Sequence, residues 1–174
     1  KDIRDYSISA VRDNIALVFQ DVFLFSDTVH NNITLGNKSI SRADVIEASI
    51  HVGAHDFIMS LPDNYDFDVK ERGGMLSVGQ RQLISFIRAY VYKPKLLILD
   101  EATSSIDTEA ELLIQEAIEK ITGTCTSIVI AHRLSTIQRS DKIIVLDKGQ
   151  IVETGSHSEL LKISNGHYRR LYDL

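Results

Sequence analysis

Apolar and polar residues along the chain fall into short blocks that predict strands and helices in alternation. Apolar runs at residues 15–19, 96–99 and 128–131 are each too short for a helix, and each stops at a polar residue. These runs predict three buried strands. Apolar residues recur at helical spacing in residues 83–91 and 110–121. Strands that alternate with helices indicate an α/β fold with a mostly parallel sheet.

Residues 22–74 have a different pattern from the parts of the chain on either side. Strand signals fade from about residue 22 to residue 74, where residues 41–50 and 54–60 have helical patterns instead. This predicts a helical insertion between two sheet-forming parts. Pro94 predicts the end of the helix over residues 83–91, because the residue before a proline, here Lys93, is pushed to extended geometry.

The C-terminal part predicts a hairpin followed by helices. The segments at residues 142–146 and 150–154 flank Asp147, Lys148 and Gly149, which is typical of a β-hairpin. Residues 156–159 have capping-box spacing, so a helix is predicted to begin there. The predicted organisation has three parts: a piece of the core sheet over residues 1–21, a helical subdomain over 22–92, and the rest of the core over 93–174.

Composition is that of one globular domain of 174 residues with a net charge of −5. Nucleic acid is not an expected partner, because the basic surface that binds it is absent from this composition. The longest apolar run has five residues, against about 20 for a membrane-spanning helix. The lone cysteine, Cys125, is interpreted as a small residue beside a strand. The first residue, Lys1, suggests an excerpt of a longer protein.

Polar side chains stand at the predicted carboxyl ends of the strands, where open parallel sheets bind ligands. They are Gln20, Asp100, Glu101 and His132. Each alone could be an ordinary polar strand end, but the set favours a site. Of the paired carboxylates Asp100 and Glu101, one could hold Mg²⁺ and the other could orient and deprotonate an attacking water.

A second feature is the start of a predicted helix at residues 76–80. Ser77 and Gln80 have capping-box spacing, and a helix start is an anion site because its first N–H groups are free. The alternative is a well-capped helix with no ligand, which the capping box alone favours. Residues 74–81 have the Gly-x4-Gly spacing of a P-loop but lack its Lys and Ser or Thr, so we reject a P-loop there.

Taken in order, these motifs resemble the nucleotide-binding domain of ABC transporters, and are most similar to that of exporters. The resemblance runs from Asp2 to about Tyr172 and corresponds to the C-terminal three-quarters or so of that domain. The matching segments are the Q-loop at residues 19–21, the exporter loop at 71–73, the signature at 76–80, Walker B with its glutamate at 96–101, the D-loop at 104–107 and the switch-histidine loop at 131–133.

The resemblance implies a fold of P-loop NTPase type, with an inserted helical subdomain and a C-terminal β-hairpin plus helices. It also implies ATP and Mg²⁺ as ligands. The implied roles are Asp100 and Gln20 on Mg²⁺, Glu101 on the hydrolytic water, His132 on the γ-phosphate, Ser77, Gly79 and Gln80 on the γ-phosphate of ATP bound to a second copy, and Asp107 across the dimer interface.

The implied partners are a second nucleotide-binding domain, identical or different, in head-to-tail arrangement, and a transmembrane domain. Residues 20–35 are expected to form part of the docking surface for the latter. The expected location is the cytoplasmic face of the plasma (inner) membrane.

Two departures from the family pattern stand out. Val78 replaces a frequent Gly or Ser, so the turn there must form without a left-handed residue. No Gly-Lys-Ser or Gly-Lys-Thr loop occurs in the 174 residues. The Walker A loop and the adenine-stacking aromatic are expected upstream of Lys1.

The favoured hypothesis is the ATP-hydrolysing domain of an exporter, inactive as this fragment alone. The alternative is a catalytically incomplete interaction module that supplies its signature to a complete partner subunit. The sequence upstream of Lys1 discriminates between them. A third hypothesis, a soluble ABC ATPase of DNA repair or translation, is disfavoured by the loop at residues 71–73 and by the acidic charge balance.

Overall fold

A computed structural model describes residues 2–100, 108–130 and 134–173 of the chain. The chain divides into two compact units, Lys1–Ile130 and Ala131–Leu174. Among the described residues, no helix combines the length and the hydropathy that a membrane crossing requires.

A three-stranded parallel sheet forms the centre of the first unit. Its strands are β1 (Ile15–Val18), β2 (Leu96–Asp100) and β3 (Thr126–Ile130), in that spatial order. The three predicted strands and the parallel α/β arrangement are confirmed. Strand β3 begins two residues earlier than its apolar run, because Thr126 and Ser127 pair with Leu96 and Leu97 despite their polarity.

Helices make up most of the remainder of this unit, and the predicted ones at residues 41–50, 54–60, 83–91 and 110–121 are confirmed. Short 3-10 turns lie at Ile3–Asp5, Asn64–Asp66 and Glu71–Gly73. The helices are α1 (Ile8–Arg12), α2 (Val29–Thr34), α3 (Arg42–Val52), α4 (His55–Met59), α5 (Val78–Val91) and α6 (Thr108–Thr122).

Helix α5 ends before Pro94 as predicted, but the predicted extended geometry of Lys93 is wrong. Lys93 has a φ of 49°, which is left-handed and not extended. Its N–H donates to the carbonyl of Tyr90 at 2.9 Å. The chain therefore leaves the helix through a left-handed residue, a common way to satisfy the last carbonyl groups.

The main hydrophobic core lies between one face of the sheet and the helices. Leu97 and Leu99 of β2 are buried in it together with Ile84 and Ile87 of α5 and Ile114 of α6. Because side chains alternate along a strand, this burial fixes which strand residues face the other way.

The second unit contains the antiparallel strands β4 (Ile143–Asp147) and β5 (Gln150–Gly155), which confirm the predicted hairpin. Lys148 and Gly149 in the turn have φ values of 48° and 78°, as a two-residue type I′ turn requires. The helices of this unit are α7 (Leu134–Gln138), α8 (His157–Leu160) and α9 (His167–Tyr172).

The start of α9 is held to the hairpin by Glu153. Its carboxylate accepts hydrogen bonds from the N–H of His167 at 2.6 Å and from the N–H of Tyr168 at 2.9 Å. The N–H groups of Tyr168 and His167 hold the pKa of Glu153 below its usual value. Ser156 and Glu159 form the predicted capping box of α8.

Candidate functional site

Strands β1, β2 and β3 are parallel, so their carboxyl ends lie along one edge of the sheet. Asp100 is the last residue of β2 and is opposite Ile130 in the register. Gln20 follows the end of β1 by two residues and is exposed. The structure thus brings two predicted site residues to this edge. Glu101, Asp107 and His132 lie outside the described residues.

The half-buried Asp100 belongs to the face of the sheet opposite the core. Alternation along β2 places Asp100 and Ile98 on this face, because Leu97 and Leu99 are buried on the other. Across the register, Leu17 and Ile128 belong to the same face, and they are 52% and 52% exposed.

The donor atoms at this edge suit a magnesium ion. The carboxylate of Asp100 and the side-chain amide of Gln20 both supply oxygen, which Mg²⁺ prefers. No group of three or more His, Cys, Asp or Glu that could hold a metal occurs among the described residues. Mg²⁺ commonly takes one or two carboxylates and completes its shell with phosphate and water.

The start of α5 is built as predicted. Ser77 is the N-cap, and its Oγ accepts a hydrogen bond from the N–H of Gln80 at 3.2 Å. The side-chain Oε1 of Gln80 accepts one from the N–H of Ser77 at 2.9 Å. Val78 is the first helical residue, with no left-handed residue at positions 77–80. The turn therefore forms without a left-handed residue, as the presence of valine required.

This capping leaves several donors at the helix tip. The N–H groups of Val78 and Gly79 have no acceptor within a helix, since the first N–H groups of any helix lack one. The hydroxyl of Ser77 accepts from Gln80 and still has its own proton to donate. The amide nitrogen of Gln80 is also left to donate, because the capping bond uses only Oε1. The tip is thus a set of donors with the positive end of the helix dipole behind it.

The loop before the helix tip is tightly packed and has an unusual backbone. Lys70 has φ 61° and ψ −170°, a region that residues other than glycine rarely occupy. A Cβ on Gly73 would lie 2.9 Å from Leu24 Cδ1 and 2.9 Å from Arg81 Cδ. The loop therefore fits between the segment that follows Gln20 and the first turn of α5.

An exposed aromatic pair marks the segment that follows Gln20. Phe23 and Phe25 are each 54% exposed, and their ring centroids are 5.1 Å apart in an edge-to-face arrangement. Leu24 between them is fully buried. The segment from Phe23 to Phe25 thus presents two rings outward and one side chain inward, and we call the two rings the aromatic pair.

Asn32 of α2 fixes the backbone of the aromatic pair. Its side chain is fully buried, its Oδ1 accepts from the N–H of Phe25 at 2.8 Å, and its Nδ2 donates to the carbonyls of Phe25 and Thr28 at 3.0 Å each. No helical period in the sequence indicates this residue, because α2 has only six residues. The local signal in the sequence is the polar Asn32 next to the apolar Ile33.

Comparison with known proteins decides the family. The ABC transporter family matches residues 1–104. The chain belongs to the ABC transporter family. Its ABC relatives include a multidrug export ATP-binding/permease protein of Staphylococcus aureus, which is 48% identical over 173 residues that cover 99% of this chain and 30% of that protein. An ATP-dependent lipid A-core flippase of Syntrophus aciditrophicus is 50% identical and is covered over 29% of its length.

A solved ABC structure supports the fold. The chain is similar to a bacterial Atm1-family ABC exporter with ATP bound, with a TM-score of 0.87 and 40% identity over 99% of this chain and 30% of that one. These matches confirm the resemblance that the motifs indicated. They also confirm the predicted fold of ABC ATPase type. This ABC chain spans about 30% of the length of the relatives that it matches.

Proposed function

We propose that the chain is the greater part of the nucleotide-binding domain of an ABC exporter, and that it binds and hydrolyses ATP to power transmembrane transport. One observation carries this proposal above the others. A chain of the ABC family presents both a carboxylate at the carboxyl edge of a parallel sheet, Asp100, and a helix tip with several free donors at Ser77–Gln80, where Ser77 and Val78 are exposed. Such a pair suits an anionic ligand with a bound cation.

At the sheet edge, the proposed roles follow from the chemistry of the side chains. Asp100 and Gln20 would hold Mg²⁺ through oxygen atoms. Mg²⁺ would supply positive charge beside the phosphates of ATP. Glu101 would orient the attacking water and take its proton, and His132 would contact the γ-phosphate. Residues 1–21 and 93–174 would form the ATPase core, and residues 22–92 the helical subdomain.

The helix tip would act on ATP held by a second copy in head-to-tail arrangement. Ser77 would donate its hydroxyl proton to the γ-phosphate, Gly79 would donate its backbone N–H, and Gln80 would donate from its side-chain amide nitrogen. These donations require no break in the capping box, because each capping bond leaves the needed donor free. Asp107 would lie across the interface between the copies. ATP would thus hold the dimer closed, and hydrolysis would release it.

The aromatic pair supports a docking role for residues 20–35. Two exposed rings on a fixed backbone suit contact with an apolar partner surface, and we assign that partner as the transmembrane domain of the exporter. With that partner, the chain would lie at the cytoplasmic face of the plasma (inner) membrane. The names of its relatives favour lipids or drug-like molecules as the transported class.

Replacing Ser77 with Asp tests the helix tip. Asp caps a helix about as well as Ser, so we expect the free energy of unfolding to change by less than about 0.5 kcal/mol. The added negative charge would face the phosphate, and we expect the ATP affinity of the complete transporter to fall by at least about tenfold. ATP binding by titration and thermal unfolding are the measurements.

The matched control is Ser41→Asp. Ser41 caps α3 with reciprocal backbone bonds to Asp44 like those between Ser77 and Gln80, and its Oγ also donates to the Asp44 carboxylate at 2.6 Å. The variant adds the same charge as Ser77→Asp, although repulsion from Asp44 is expected to destabilise α3. We expect Ser41→Asp to leave ATP affinity unchanged. Equal affinities for the two variants would remove the helix tip from the proposed site.

A further inference from the structure

Arg88 joins α5 to the segment that carries the aromatic pair. It lies three turns beyond Ser77, about 16 Å along the helix axis. Its Nε donates to the carbonyl of Asn32 at 2.8 Å, and Nη1 and Nη2 each reach the carbonyl of Phe23 at 3.4 Å. One side chain of α5 therefore holds two points that are nine residues apart in the neighbouring segment.

A second side chain at the same end of α5 strengthens this connection. The hydroxyl of Tyr92, the residue that follows the last turn, donates to the carbonyl of Thr34 at 2.6 Å. Asn32, whose carbonyl Arg88 holds, fixes Phe25 through its own amide. Phe23 is thus held by Arg88 directly, and Phe25 is held by Arg88 through Asn32.

The planar shape of the Arg88 guanidinium matters more to these contacts than its charge does. Within the described part of the chain, no ion pair with a carboxylate is found for it, and burial lowers its pKa from the ordinary arginine value. Only backbone carbonyls accept its hydrogen bonds. The planar fork of arginine presents donors on separate atoms to the two carbonyls, whereas the three donors of lysine all lie on one nitrogen at the end of a flexible chain. The side chain therefore fixes the geometry between two segments.

Helix α5 is well suited to transmit a displacement. It has 14 residues, and nine of them are buried. A buried helix of this length moves as a rigid rod, because core packing allows few continuous deformations. A shift of the aromatic pair would pull on the carboxyl end of α5, and a shift of the helix tip would move the aromatic pair.

We propose that Arg88 is the positioning residue that couples the docking surface for the membrane partner to the phosphate-binding tip of α5. This inference rests on the proposed function, because it assigns ATP to the tip and the membrane partner to the aromatic pair. Arg88 touches neither ligand. Its role is to fix the position of the aromatic pair relative to the start of α5.

Hydrogen exchange in the complete transporter tests the coupling. We would measure amide exchange of peptides covering residues 75–82 and 22–35, with and without Mg-ATP. In the wild type, Mg-ATP is expected to change exchange in both peptides. In Arg88→Lys, the response of residues 75–82 is expected to keep its ATP midpoint within about twofold, while the ATP-dependent change in residues 22–35 falls at least about fivefold.

The ATP-dependent difference separates coupling from a merely structural role. A structural role would raise exchange in residues 22–35 equally with and without ATP, and so leave that difference intact. Tyr92→Phe removes only one hydroxyl. It is expected to reduce the ATP-dependent change in residues 22–35 as well, but by less than Arg88→Lys does. Arg42→Lys is the control, since Arg42 forms a bidentate ion pair with Asp66 at the surface. It is expected to leave the ATP-dependent changes in both peptides intact.

Two outcomes would overturn the coupling while the proposed function stands. One is a full ATP-dependent change at residues 22–35 in Arg88→Lys. The other is a wild type in which residues 75–82 respond to Mg-ATP and residues 22–35 do not. A wild type with no response at residues 75–82 would instead remove the proposed function, and the coupling with it.

Discussion

Replacing Glu101 with Gln in the complete transporter is expected to lower steady-state ATP turnover by about 10²- to 10⁴-fold, the usual contribution of a general base. Glutamine keeps the size and hydrogen-bonding reach of glutamate but cannot take a proton from water. Because ATP would still bind and would not be split, the nucleotide-bound closed dimer should accumulate. Turnover measured by phosphate release and the amount of ATP retained by the protein after rapid desalting give the two readouts.

The control for this substitution is Glu116→Gln on the exposed side of α6, which removes the same charge away from the sheet edge. It should leave turnover unchanged. Undiminished turnover in Glu101→Gln would contradict the role of Glu101 as the base.

Replacing Asn32 with Ala is expected to destabilise the first unit by about 2–4 kcal/mol. The fully buried amide makes three hydrogen bonds of 3.0 Å or shorter, two to Phe25 and one to Thr28. Alanine would leave the N–H of Phe25 without this acceptor, and an unsatisfied buried group costs about 1–3 kcal/mol. The carbonyls of Phe25 and Thr28 would keep the N–H groups of Asp27 and Asn32 but lose one hydrogen bond each, worth about 0.5–1.5 kcal/mol. Denaturant unfolding of the complete domain, followed by circular dichroism, measures the loss.

Asn31→Ala is the matched control, since it makes the same chemical change one residue away. Asn31 is exposed, and its Nδ2 donates to Oδ1 of Asp27 at 2.8 Å. Its loss should cost only about 0.5 kcal/mol, as for most surface substitutions. Similar losses for the two variants would show that the buried amide does not hold the segment.

Much of the fold could be predicted because its signals are local. The alternation of apolar runs with helical periods predicted the parallel sheet, and the turn at Lys148 and Gly149 predicted the hairpin. The capping boxes at Ser77 and Ser156 predicted two helix starts within one residue. Each of these features depends on residues that are neighbours in the sequence.

Other features depend on contacts between distant parts of the chain. Strand β3 includes Thr126 and Ser127 because β2 offers pairing partners there, which no local signal reveals. Arg88 reaches residues 56 and 65 positions away, so its role was not visible in the helical pattern. The signal available was one charged residue in an otherwise apolar stretch of helix.

The candidate site was predictable to the extent that sheet topology fixes it. Parallel strands in adjacent positions bring Gln20 and Asp100 to one edge, as expected from the strand ends. The donors of the helix tip also followed from the capping box. The proposed use of the tip by a second molecule did not follow from local chemistry, and it rests only on the resemblance to the ABC family.

A complementation experiment tests that shared site most directly. In a dimer of identical transporter subunits, we would combine Glu101→Gln and Ser77→Asp either on one copy or on separate copies, and measure ATP turnover near the wild-type KM. If each site takes its sheet edge from one copy and its helix tip from the other, separate copies leave one site intact. We expect about half of wild-type turnover there, and about a tenth or less with both changes on one copy. Equal turnover in the two dimers, or higher turnover with both changes on one copy, would contradict a site shared between subunits.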